Sequence, residues 1–553
     1  MTNEKRIDPL LNMETVGGGG STAPTTRLYA FKPYIGQKLG QELVDSGIPL
    51  DKQKFLNYSN VNRQECFQLM GYKYTGWVVL YKDLNGNPYL HNGQPFYRFK
   101  PDAGELKPKD GKKPAKYLSI KNSGCRPYIS PLLKQQGLID DLKKTGEVIW
   151  TEGEKKADGL ARHGFTAIGI AGVDCWKDGR STEMLPELEA INWRGRDVII
   201  LFDSDVTTKN SVQRALKALA CKLTEKGSKV KIATLPHDLD GTRNGADDFL
   251  VKYGREALIE VLGVARPSHK NNKYIWKDEP TLSHHTAVLA AIVFKNFYAL
   301  RPDIGLYKWV GTRWELQNRK PKDAIINPLH KWLDAMGWEK RENHHLASVV
   351  SEVIARIEHS TWDSSHLMSF KNGTLNVNNQ NFTRSHDRNN YLTHSFDFKY
   401  DEGAKCPTWI KFLNDSFDNN QELIELLKAA FKWSISPKDP SRPFLLELFF
   451  DLHGRRGSGK GTTLEVLKAV AGGSEAIGTL RTSSLGKPTV LFGLIGKKIA
   501  IDNDASGRIS DAGIFNSIVS NEEVEVKKLY FNETSERLGV VVWRAFNDNP
   551  TAS

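Results

Sequence analysis

The stretch VIWTEGEKKADGLARHG, residues 148–164, consists of a short apolar run followed by a helical pattern. The same alternation continues through FTAIGIAG (165–172), DVIILFDSD (197–205), SVQRALKALACKLTEKG (211–227) and KVKIATL (229–235). Apolar runs separated by helical stretches indicate a mostly parallel sheet with helices on its faces. Residues 146–265 are therefore predicted to form an α/β domain.

Toward the N-terminus the composition changes twice. WVVLY (77–81) and FYRFK (96–100) are β-rich, and the Asn-Gly pairs at 85–86 and 92–93 are typical of hairpin turns. We therefore predict a basic, β-rich subdomain over residues 31–145. Residues 1–30 include four consecutive glycines and are predicted to form a disordered tail, since such a composition does not repay the entropy of ordering.

Toward the C-terminus a polar stretch at 266–285 is predicted to be a linker. Residues 286–440 follow a largely helical period, with a strand-like interruption at SFKNGTLNVNNQNF (369–382). The apolar run FLLELFFDLH (444–453) predicts a buried strand that opens a second α/β unit over residues 441–553. A chain of 553 residues is too long for one hydrophobic core, so the predicted fold class is multidomain α/β.

The composition limits the class of protein. Hydrophobic residues make up 39% of the chain and charged residues 26%, as in soluble globular proteins, and no apolar run is long enough to span a bilayer. The five cysteines stand singly, which favours a reducing cytoplasm over a disulfide framework or a paired zinc site. A net charge of +12 favours nucleic acid as a partner, although a generally basic soluble protein has the same balance.

Acidic residues stand where strands of the α/β domain are expected to end. Glu152 comes just after VIW, Asp203 and Asp205 come just after VIILF, and Asp247-Asp248 precede a helical pattern. The carboxyl ends of the strands gather at one edge of a doubly wound sheet. Carboxylates there would suit Mg²⁺ or Mn²⁺ and phosphoryl chemistry, with a hydroxyl or water as the attacker. Each acid also fits the plainer role of turn former or helix cap.

TEGEKKAD, LFDSD and GADDFL, in this order, resemble the signature of TOPRIM domains. The resemblance implies that Glu152 is an acid/base or metal-proximal glutamate and that Asp203 and Asp205 are metal ligands. Asp248 is implied as a further ligand, although the pair Asp247-Asp248 matches the later acidic motif less closely.

The segment before this domain resembles the basic strand region of bacterial replicative primases. FYRFKPD followed by KPAKYLSIKNSG carries the resemblance, which implies contacts to template and nucleotide by Arg98, Lys100, Lys116 and Tyr117. The alternative is a solvated basic hairpin. Those primases also carry an N-terminal zinc-binding domain, for which this chain has no cysteine pair.

A glycine-rich loop follows the strand predicted at 444–453 and precedes a helical run, TLEVLKAVAG. In such a loop backbone N–H groups surround a nucleotide phosphate, and the lysine reaches the β and γ oxygens. The sequence therefore predicts ATP binding by Gly454, Gly457, Gly459, Lys460, Gly461 and Thr462. Gly461 replaces the usual Ser or Thr after the lysine, so the Mg²⁺-binding hydroxyl must come from Thr462 or act through water.

The rest of this segment resembles superfamily 3 helicases of phage and plasmid primase-helicases. GKKIAIDNDAS implies a Walker B acid, either Asp502 or Asp504, and VVVWRAFNDNP implies a sensor at Asn547. The upstream stretch SFKNGTLNVNNQNF…CPTWIKFLND resembles the helical domain before the ATPase in that family. EVEVKKLYF resembles its DNA-contacting loop, which implies phosphate contacts by Lys527 and Lys528, although lysines also protect exposed strand edges.

Members of that family continue past the Asn-Pro motif with an arginine finger, whereas this chain stops at Ser553. We therefore expect a C-terminally truncated or partner-dependent ATPase, and a hexamer if the missing segment is present.

Three functions follow as hypotheses. The first is a primase-helicase of a phage, plasmid or other mobile element, which acts on single-stranded and duplex DNA and uses NTPs. The second is a TOPRIM nuclease regulated by an ATPase, since the same carboxylates can direct water at a phosphodiester. The third is a DNA-binding replication factor without catalysis, for which Gly461 and the missing arginine finger are the evidence.

Overall fold

The structure is a computed structural model that describes residues 34–108, 114–144, 146–179, 181–268, 284–302, 304–317, 319–338, 343–359, 361–362, 366–438, 443–505, 509–527 and 533–547. The tail predicted at 1–30 and most of the predicted linker lie outside these ranges. The chain divides into two compact units. The first comprises Met1–Leu201, Arg214–Val230 and Ala246–Val251, and the second comprises Phe202–Gln213, Lys231–Gly245 and Lys252–Ser553.

The first unit begins with a small antiparallel sheet in the order β1-β2-β5-β6, confirming the predicted β-rich character. Its elements are α1 Gln37–Asp45, α2 Leu50–Gln53, β1 Tyr58–Val61, α3 Arg63–Met70, β2 Gly76–Leu80, β3 Leu90–His91, β4 Gln94–Pro95, β5 Tyr97–Pro101 and β6 Leu118–Ser119. The runs WVVLY and FYRFK fall on β2 and β5. Asn92 and Gly93 join β3 to β4 with φ of 51° and 76°, the positive pair that a tight hairpin turn requires.

The α/β domain that follows has the strand order β12-β11-β10-β8-β9-β7. Its elements are β7 Tyr128–Ile129, α4 Pro131–Gln135, α5 Ile139–Lys143, β8 Val148–Glu152, α6 Glu154–Arg162, β9 Ala167–Ile170, α7 Pro186–Glu189, β10 Asp197–Phe202, α8 Asn210–Glu225, β11 Lys229–Thr234, α9 Ala246–Gly263 and β12 Arg266–Pro267. β8 runs parallel to both β9 and β10, confirming the predicted parallel core, whereas β7 and β12 pair antiparallel.

Two features of this domain position the later sites. The register sets Ile200 of β10 beside Trp150 of β8, so the two parallel strands end at the same edge of the sheet. Arg266 pairs with Ile232, so the sheet extends into the first residues of the stretch predicted as a linker. This two-residue edge strand was not predicted, because the stretch is polar and two residues are too few to show a periodic pattern.

The middle of the chain, predicted as mainly helical, contains more strand than its sequence indicated. Its elements are α10 His284–Phe294, β13 Tyr298–Arg301, β14 Gly305–Trp309, β15 Trp314–Leu316, α11 Pro321–Ala335, α12 Asn343–Arg356, β16 Leu367–Phe370, β17 Gly373–Asn376, β18 Asn381–Thr383, α13 Pro407–Ser416 and α14 Gln421–Ile435. The predicted strand-like interruption is the sheet β16-β17-β18. The sheet β13-β14-β15 was not predicted.

The C-terminal part contains a parallel sheet in the order β19-β24-β21-β20 and a hairpin formed by β22 and β23. Its elements are β19 Phe450–His453, α15 Lys460–Ala471, β20 Ile477–Thr479, α16 Pro488–Phe492, β21 Ile499–Asp502, α17 Ala512–Ser520, β22 Glu523–Lys527, β23 Glu533–Arg537 and β24 Val541–Phe546. Alternate residues of β24 enter two different cores. Val541 and Trp543 pack with α14 and α15, while Val542 packs with α17.

The buried strand predicted at 444–453 is wrong in its first half. The strand begins only at Phe450, and Leu445 is 99% exposed. Within the part of the chain that the structure describes, β19 lies at the edge of its sheet and pairs with β24 alone, so the residues before Phe450 lack a neighbouring strand that would cover them.

None of the helices in the described ranges is long and apolar enough to cross a bilayer.

Candidate functional site

Arg98, predicted to contact template, is engaged inside the first unit. Its Nη1 donates to Glu154 Oε1 at 2.8 Å, and its Nη2 donates to the carbonyl of Ala171 at 2.7 Å. The hydroxyl of Tyr81 donates to the same Glu154 oxygen at 2.5 Å. The guanidinium also lies over the Tyr117 ring, 4.5 Å from its centre. Arg98 therefore ties β5 to the first turn of α6, and Tyr117 packs on it.

Lys100, two residues further along β5, is ion-paired with Glu42 of α1. The same carboxylate accepts from Lys155 Nζ at 3.1 Å and from Trp77 Nε1 at 3.3 Å. Although burial raises the pKa of Glu42, the hydrogen bonds and charges of Lys100 and Lys155 outweigh it and lower the pKa to about 2. Glu42 is thus a fixed negative charge among lysines.

Lys116 is exposed and stands beside this group. Partial burial of its side chain lowers the pKa of Lys116, and the positive charges of Lys100, Lys155 and Lys156 lower this pKa further. We call these four lysines the basic cluster. Sequence reasoning identified Lys100 and Lys116 but missed Lys155 and Lys156, which stand in the helical part of TEGEKKAD. The cluster concentrates positive charge near the N-terminus of α6, where helix geometry also favours anions.

Glu152 is the last residue of β8, and Gly153 precedes α6 with a φ of 99°. Of the acidic pair at the start of α9, Asp247 is buried while Asp248, the predicted ligand, is exposed. Asp247 Cβ lies 3.7 Å from the position that a Cβ on Gly159 would occupy. Burial is the main cause of the raised pKa of Tyr117, and the negative charge of Asp247 makes a smaller contribution in the same direction. The structure therefore directs Asp247, rather than Asp248, toward α6 and Tyr117.

Asp203 and Asp205 belong to the second unit. Asp203 directly follows β10 and precedes a short 3-10 turn, Ser204–Thr207, which contains Asp205. Ser204, between them, is fully buried. Its backbone N–H donates to the carbonyl of Asn244 at 3.0 Å, and its hydroxyl accepts from the Asn244 N–H at 2.8 Å. These two bonds fix the turn against the segment before α9.

Asp205 is surrounded by cations. Its Oδ2 accepts from Lys209 Nζ at 2.5 Å and lies 3.9 Å from Arg243 Nη1. Both cationic side chains are about half exposed, at 48% and 54%, whereas the Asp205 side chain is 16% exposed. Lys209 and Arg243 carried no sequence signal, because neither falls in the motif that identified the aspartates.

The predicted metal ligands belong to both units, Glu152 and Asp248 to the first and Asp203 and Asp205 to the second. Across the residues that the structure describes, no group of three or more His, Cys, Asp or Glu side chains is arranged to hold a metal ion. Carboxylate oxygens suit Mg²⁺ chemically, but Asp205 is paired with Lys209 and Asp248 faces solvent. The metal site stays a prediction.

The glycine-rich loop has the strand–loop–helix context that the sequence predicted. It follows β19 and ends at Gly459, which starts α15 in a left-handed conformation with no side-chain cap. Lys460 Nζ donates to the carbonyls of Gly454 at 2.6 Å and Arg455 at 3.0 Å. The lysine thus lies along the loop, and the first N–H groups of α15 have no capping side chain.

Two glycines of the loop differ in their surroundings. A Cβ on Gly459 would lie 2.8 Å from Cζ of Phe412 in α13, whereas one on Gly457 would meet nothing within 4 Å. Both have positive φ, 90° and 84°. A Cβ on Gly461 would also meet nothing within 4 Å, and Thr462 is exposed.

The two candidate Walker B acids are in different environments. Asp502 ends β21 and is buried, and its Oδ2 accepts from the backbone N–H and the hydroxyl of Thr482 at 2.8 and 2.7 Å. Asp504 is exposed in the turn that follows. Asn547 directly follows β24, whose Phe546 pairs with His453 at the entrance to the loop. The register therefore brings Asn547, together with the end of β21, to the same edge as the loop.

The predicted DNA-contacting segment forms the hairpin of β22 and β23. Lys527 Nζ donates to Glu533 Oε1 across the hairpin at 2.9 Å. Lys528 lies outside the described residues.

Two sequence families match separate parts of the chain. One, described as a domain of unknown function (DUF3854), matches residues 138–257. The other, described as D5 N terminal like, matches residues 290–418. The second match supports a protein of the primase-helicase type, in agreement with the resemblance of the stretch before the glycine-rich loop. The TOPRIM and superfamily 3 resemblances stay predictions.

This chain spans less than two thirds of the length of either similar protein. An uncharacterized protein of Picosynechococcus sp. is 29% identical over 142 residues, which amount to 24% of this chain and 13% of that protein. A solved structure described as the A form apo structure of the NrS-1 C terminal region has 12% identity and a TM-score of 0.31. That alignment covers 49% of this chain and 58% of the solved one, and at this TM-score it supports no conclusion about the fold.

Proposed function

We propose that this chain acts in DNA replication as a primase-helicase, which binds ATP at the loop Gly454–Gly459 and synthesises primers with its first half. The proposal rests above all on one contact in the second unit. Phe412 belongs to α13, the last helix of the D5 N terminal like region, and packs directly on Gly459 of the loop. A region that resembles primase-helicases thus contacts the loop for which we propose nucleotide binding.

The chemistry of ATP binding follows from the residues of the loop. The Lys460 ammonium, held by the carbonyls of Gly454 and Arg455, would move to the β and γ oxygens of ATP. Uncapped N–H groups at the start of α15 would donate to the phosphates. Asp502, oriented by Thr482, is the acid that we propose for the Mg²⁺ of the nucleotide.

Primer synthesis is proposed for the first half because of its charge. The basic cluster offers ammonium groups to template or nucleotide phosphates, with Lys116 the most accessible of those that the motif predicted. Glu152, Asp203 and Asp205 are proposed to make synthesis depend on Mg²⁺ or Mn²⁺, since carboxylates are the ligands these ions prefer.

Nucleotide binding is tested with fluorescent ATP and the full chain. Lys460→Ala should reduce affinity at least about tenfold through the lost charge-assisted contact. Lys468→Ala is the matched control, because Lys468 lies on the same helix and pairs with Glu465 at the surface. Equal affinity of the wild type and the Lys460 variant would contradict ATP binding at this loop.

Primer synthesis is tested with single-stranded DNA, NTPs and either Mg²⁺ or Mn²⁺. The wild type should extend primers, Asp203→Ala should abolish extension, and omission of the divalent ion should have the same effect. Absence of product from the wild type, or full product from the aspartate variant, would contradict the proposal. Nicking of supercoiled DNA without nucleotide incorporation would indicate a nuclease instead.

A further inference from the structure

His237 is buried in the loop that follows β11, and its ring bonds the turn that carries two of the predicted acids. The Nε2 atom lies 3.1 Å from the carbonyl oxygen of Ser204. Because a carbonyl oxygen only accepts, Nε2 carries the proton and donates it. Ser204 stands between Asp203 and Asp205, in a segment that we call the aspartate turn, residues 203–208. The imidazole therefore holds the backbone between the two aspartates.

The backbone of His237 is held by the end of α11. The indole N–H of Trp332 donates to the carbonyl of His237 at 2.8 Å, and the N–H of His237 donates to Sδ of Met336 at 3.2 Å. Trp332 is in the last turn of α11, and Met336 directly follows this helix; both are fully buried. His237 thus bonds α11 through its backbone and the aspartate turn through its ring.

The end of α11 also packs on the aspartate turn directly. A Cβ on Gly337 would lie 3.4 Å from the carbonyl oxygen of Thr207 and 3.4 Å from Cγ2 of Thr208. One on Gly241, in the loop after β11, would lie 3.6 Å from Cβ of Ala335. All these residues belong to the second unit. The same end of α11 therefore contacts both the turn and the loop that carries the histidine.

Further hydrogen bonds fix the loop and the turn around this contact. The side-chain amide of Asn244 donates to the carbonyl of Pro236 at 2.9 Å and to Oδ1 of Asp238 at 2.8 Å, on either side of the histidine. The Thr207 hydroxyl donates to the same Ser204 carbonyl at 3.1 Å. Of these two donors to the carbonyl, the imidazole is the one that comes from outside the turn. Its loss would loosen the turn without leaving the carbonyl unpaired.

We propose that His237 is a positioning residue for Asp203 and Asp205, and that α11 sets the place of the aspartate turn through it. Coupling of this kind travels through packed side chains and hydrogen bonds. The D5 N terminal like match, residues 290–418, includes α11, so a shift of that region would reach the two acids through His237. The effect on primer synthesis rests on the proposed function, whereas the effect on the turn does not.

Amide hydrogen exchange of the full chain, measured by mass spectrometry, tests the link. His237→Leu removes the donor and should speed exchange in peptides that cover the aspartate turn by about three- to tenfold, as expected for one hydrogen bond. His237→Gln keeps a side-chain donor and should stay within about twofold of the wild type. Peptides that cover β17, in the same unit, should exchange as in the wild type. Unchanged exchange at the turn in the leucine variant, or equal acceleration at β17, would overturn the proposal.

A second pair of variants tests the route through α11. Trp332→Phe removes the indole donor to the His237 carbonyl and should also speed exchange at the aspartate turn. Trp314→Phe is the matched control, because its buried indole donates to the carbonyl of Arg388 at 2.9 Å in the same unit. This control should leave exchange at the turn unchanged. Equal effects of the two variants would contradict the role of α11.

Primer synthesis then separates this inference from the proposed function. His237→Leu should lower the maximal rate at least about tenfold and leave KM for NTP within about twofold, since misplaced acids slow the reaction itself, and His237→Gln should restore most of the rate. If the wild type makes no primers but exchange at the turn responds as expected, the proposed function fails and the link through His237 stands. If primers form and the leucine variant keeps the full rate, His237 does not position the two acids.

Discussion

Arg98 and Glu154 form an ion pair at 2.8 Å in which the arginine side chain is 12% exposed and the glutamate 2%. Removal of one partner from a buried pair leaves the other charge without compensation. Arg98→Ala should therefore destabilise the first unit by about 3–5 kcal/mol, measured by urea unfolding. Lys38→Ala, which breaks an exposed pair with Asp102, should change stability by less than about 1 kcal/mol. Similar effects of the two variants would contradict a structural role for Arg98.

Glu42 should make stability depend on acid pH. Its pKa in the folded protein is lowered from an ordinary value of 4.5 to about 2, so its contribution is present above about pH 4.5 and is lost as the pH falls toward 2. The Tm difference between the wild type and Glu42→Gln should be largest at neutral pH and vanish near pH 2. Glu475→Gln is the control, since Glu475 is exposed. A Tm difference that stays constant with pH would show that the Glu42 charge is not responsible.

Gly459 and Gly457 form a matched pair for the glycine-rich loop. Both have positive φ, so alanine should cost about 1–2 kcal/mol of local strain at either position. Only the Gly459 Cβ would also clash with Phe412, at 2.8 Å. Gly459→Ala should therefore weaken ATP binding much more than Gly457→Ala, as fluorescent nucleotide titration can show. Equal losses would mean that the contact with Phe412 does not shape the loop.

Asp502 should matter for ATP hydrolysis and Asp504 should not. Asp502 is buried at the end of β21 and oriented by Thr482, whereas Asp504 is exposed. Asp502→Asn should lower the ATPase rate by at least about tenfold, and Asp504→Asn by less than about twofold. If the chain has no measurable ATPase activity, Mg²⁺-dependent ATP affinity provides the same comparison. A larger effect at Asp504 would reverse the assignment.

Gly461 offers a gain-of-function test. A Cβ there meets no atom within 4 Å, so Gly461→Ser fits without displacement and places a hydroxyl directly after the lysine. The substitution should tighten Mg²⁺-ATP binding severalfold and leave binding without the metal nearly unchanged. Gly461→Ala controls for the loss of glycine flexibility. No difference between serine and alanine would show that this position does not reach the metal.

Local patterns predicted the parts of the fold that depend on neighbouring residues in the sequence. The strand ending at Glu152, the helix after it and the turn at Asn92-Gly93 follow from periodicity and turn chemistry. The prediction of a buried strand from Phe444 failed because an apolar strand needs a neighbouring strand to be buried. β19 has such a neighbour, β24, only from Phe450 onward and only on one side.

Side-chain partners across the fold could not be predicted in the same way. Arg98 and Lys100 stand in a basic motif, but their partners, Glu154 and Glu42, are distant in the sequence, and no pattern links either glutamate to its partner. Such pairings are properties of tertiary structure, and a single sequence carries no periodic signal for them.

The packing of Phe412 on Gly459 has a thermodynamic consequence. A ligand that reshapes the glycine-rich loop must change the free energy of interaction between the loop and α13, because the phenyl ring lies directly against the loop backbone at Gly459. Such coupling is reciprocal. A second ligand that binds the D5 N terminal like region and shifts α13 would change the affinity for nucleotide by some factor, and bound nucleotide would change the affinity for that ligand by the same factor. The contact between Phe412 and Gly459 would thus couple ligand binding at the D5 N terminal like region to nucleotide binding at the glycine-rich loop.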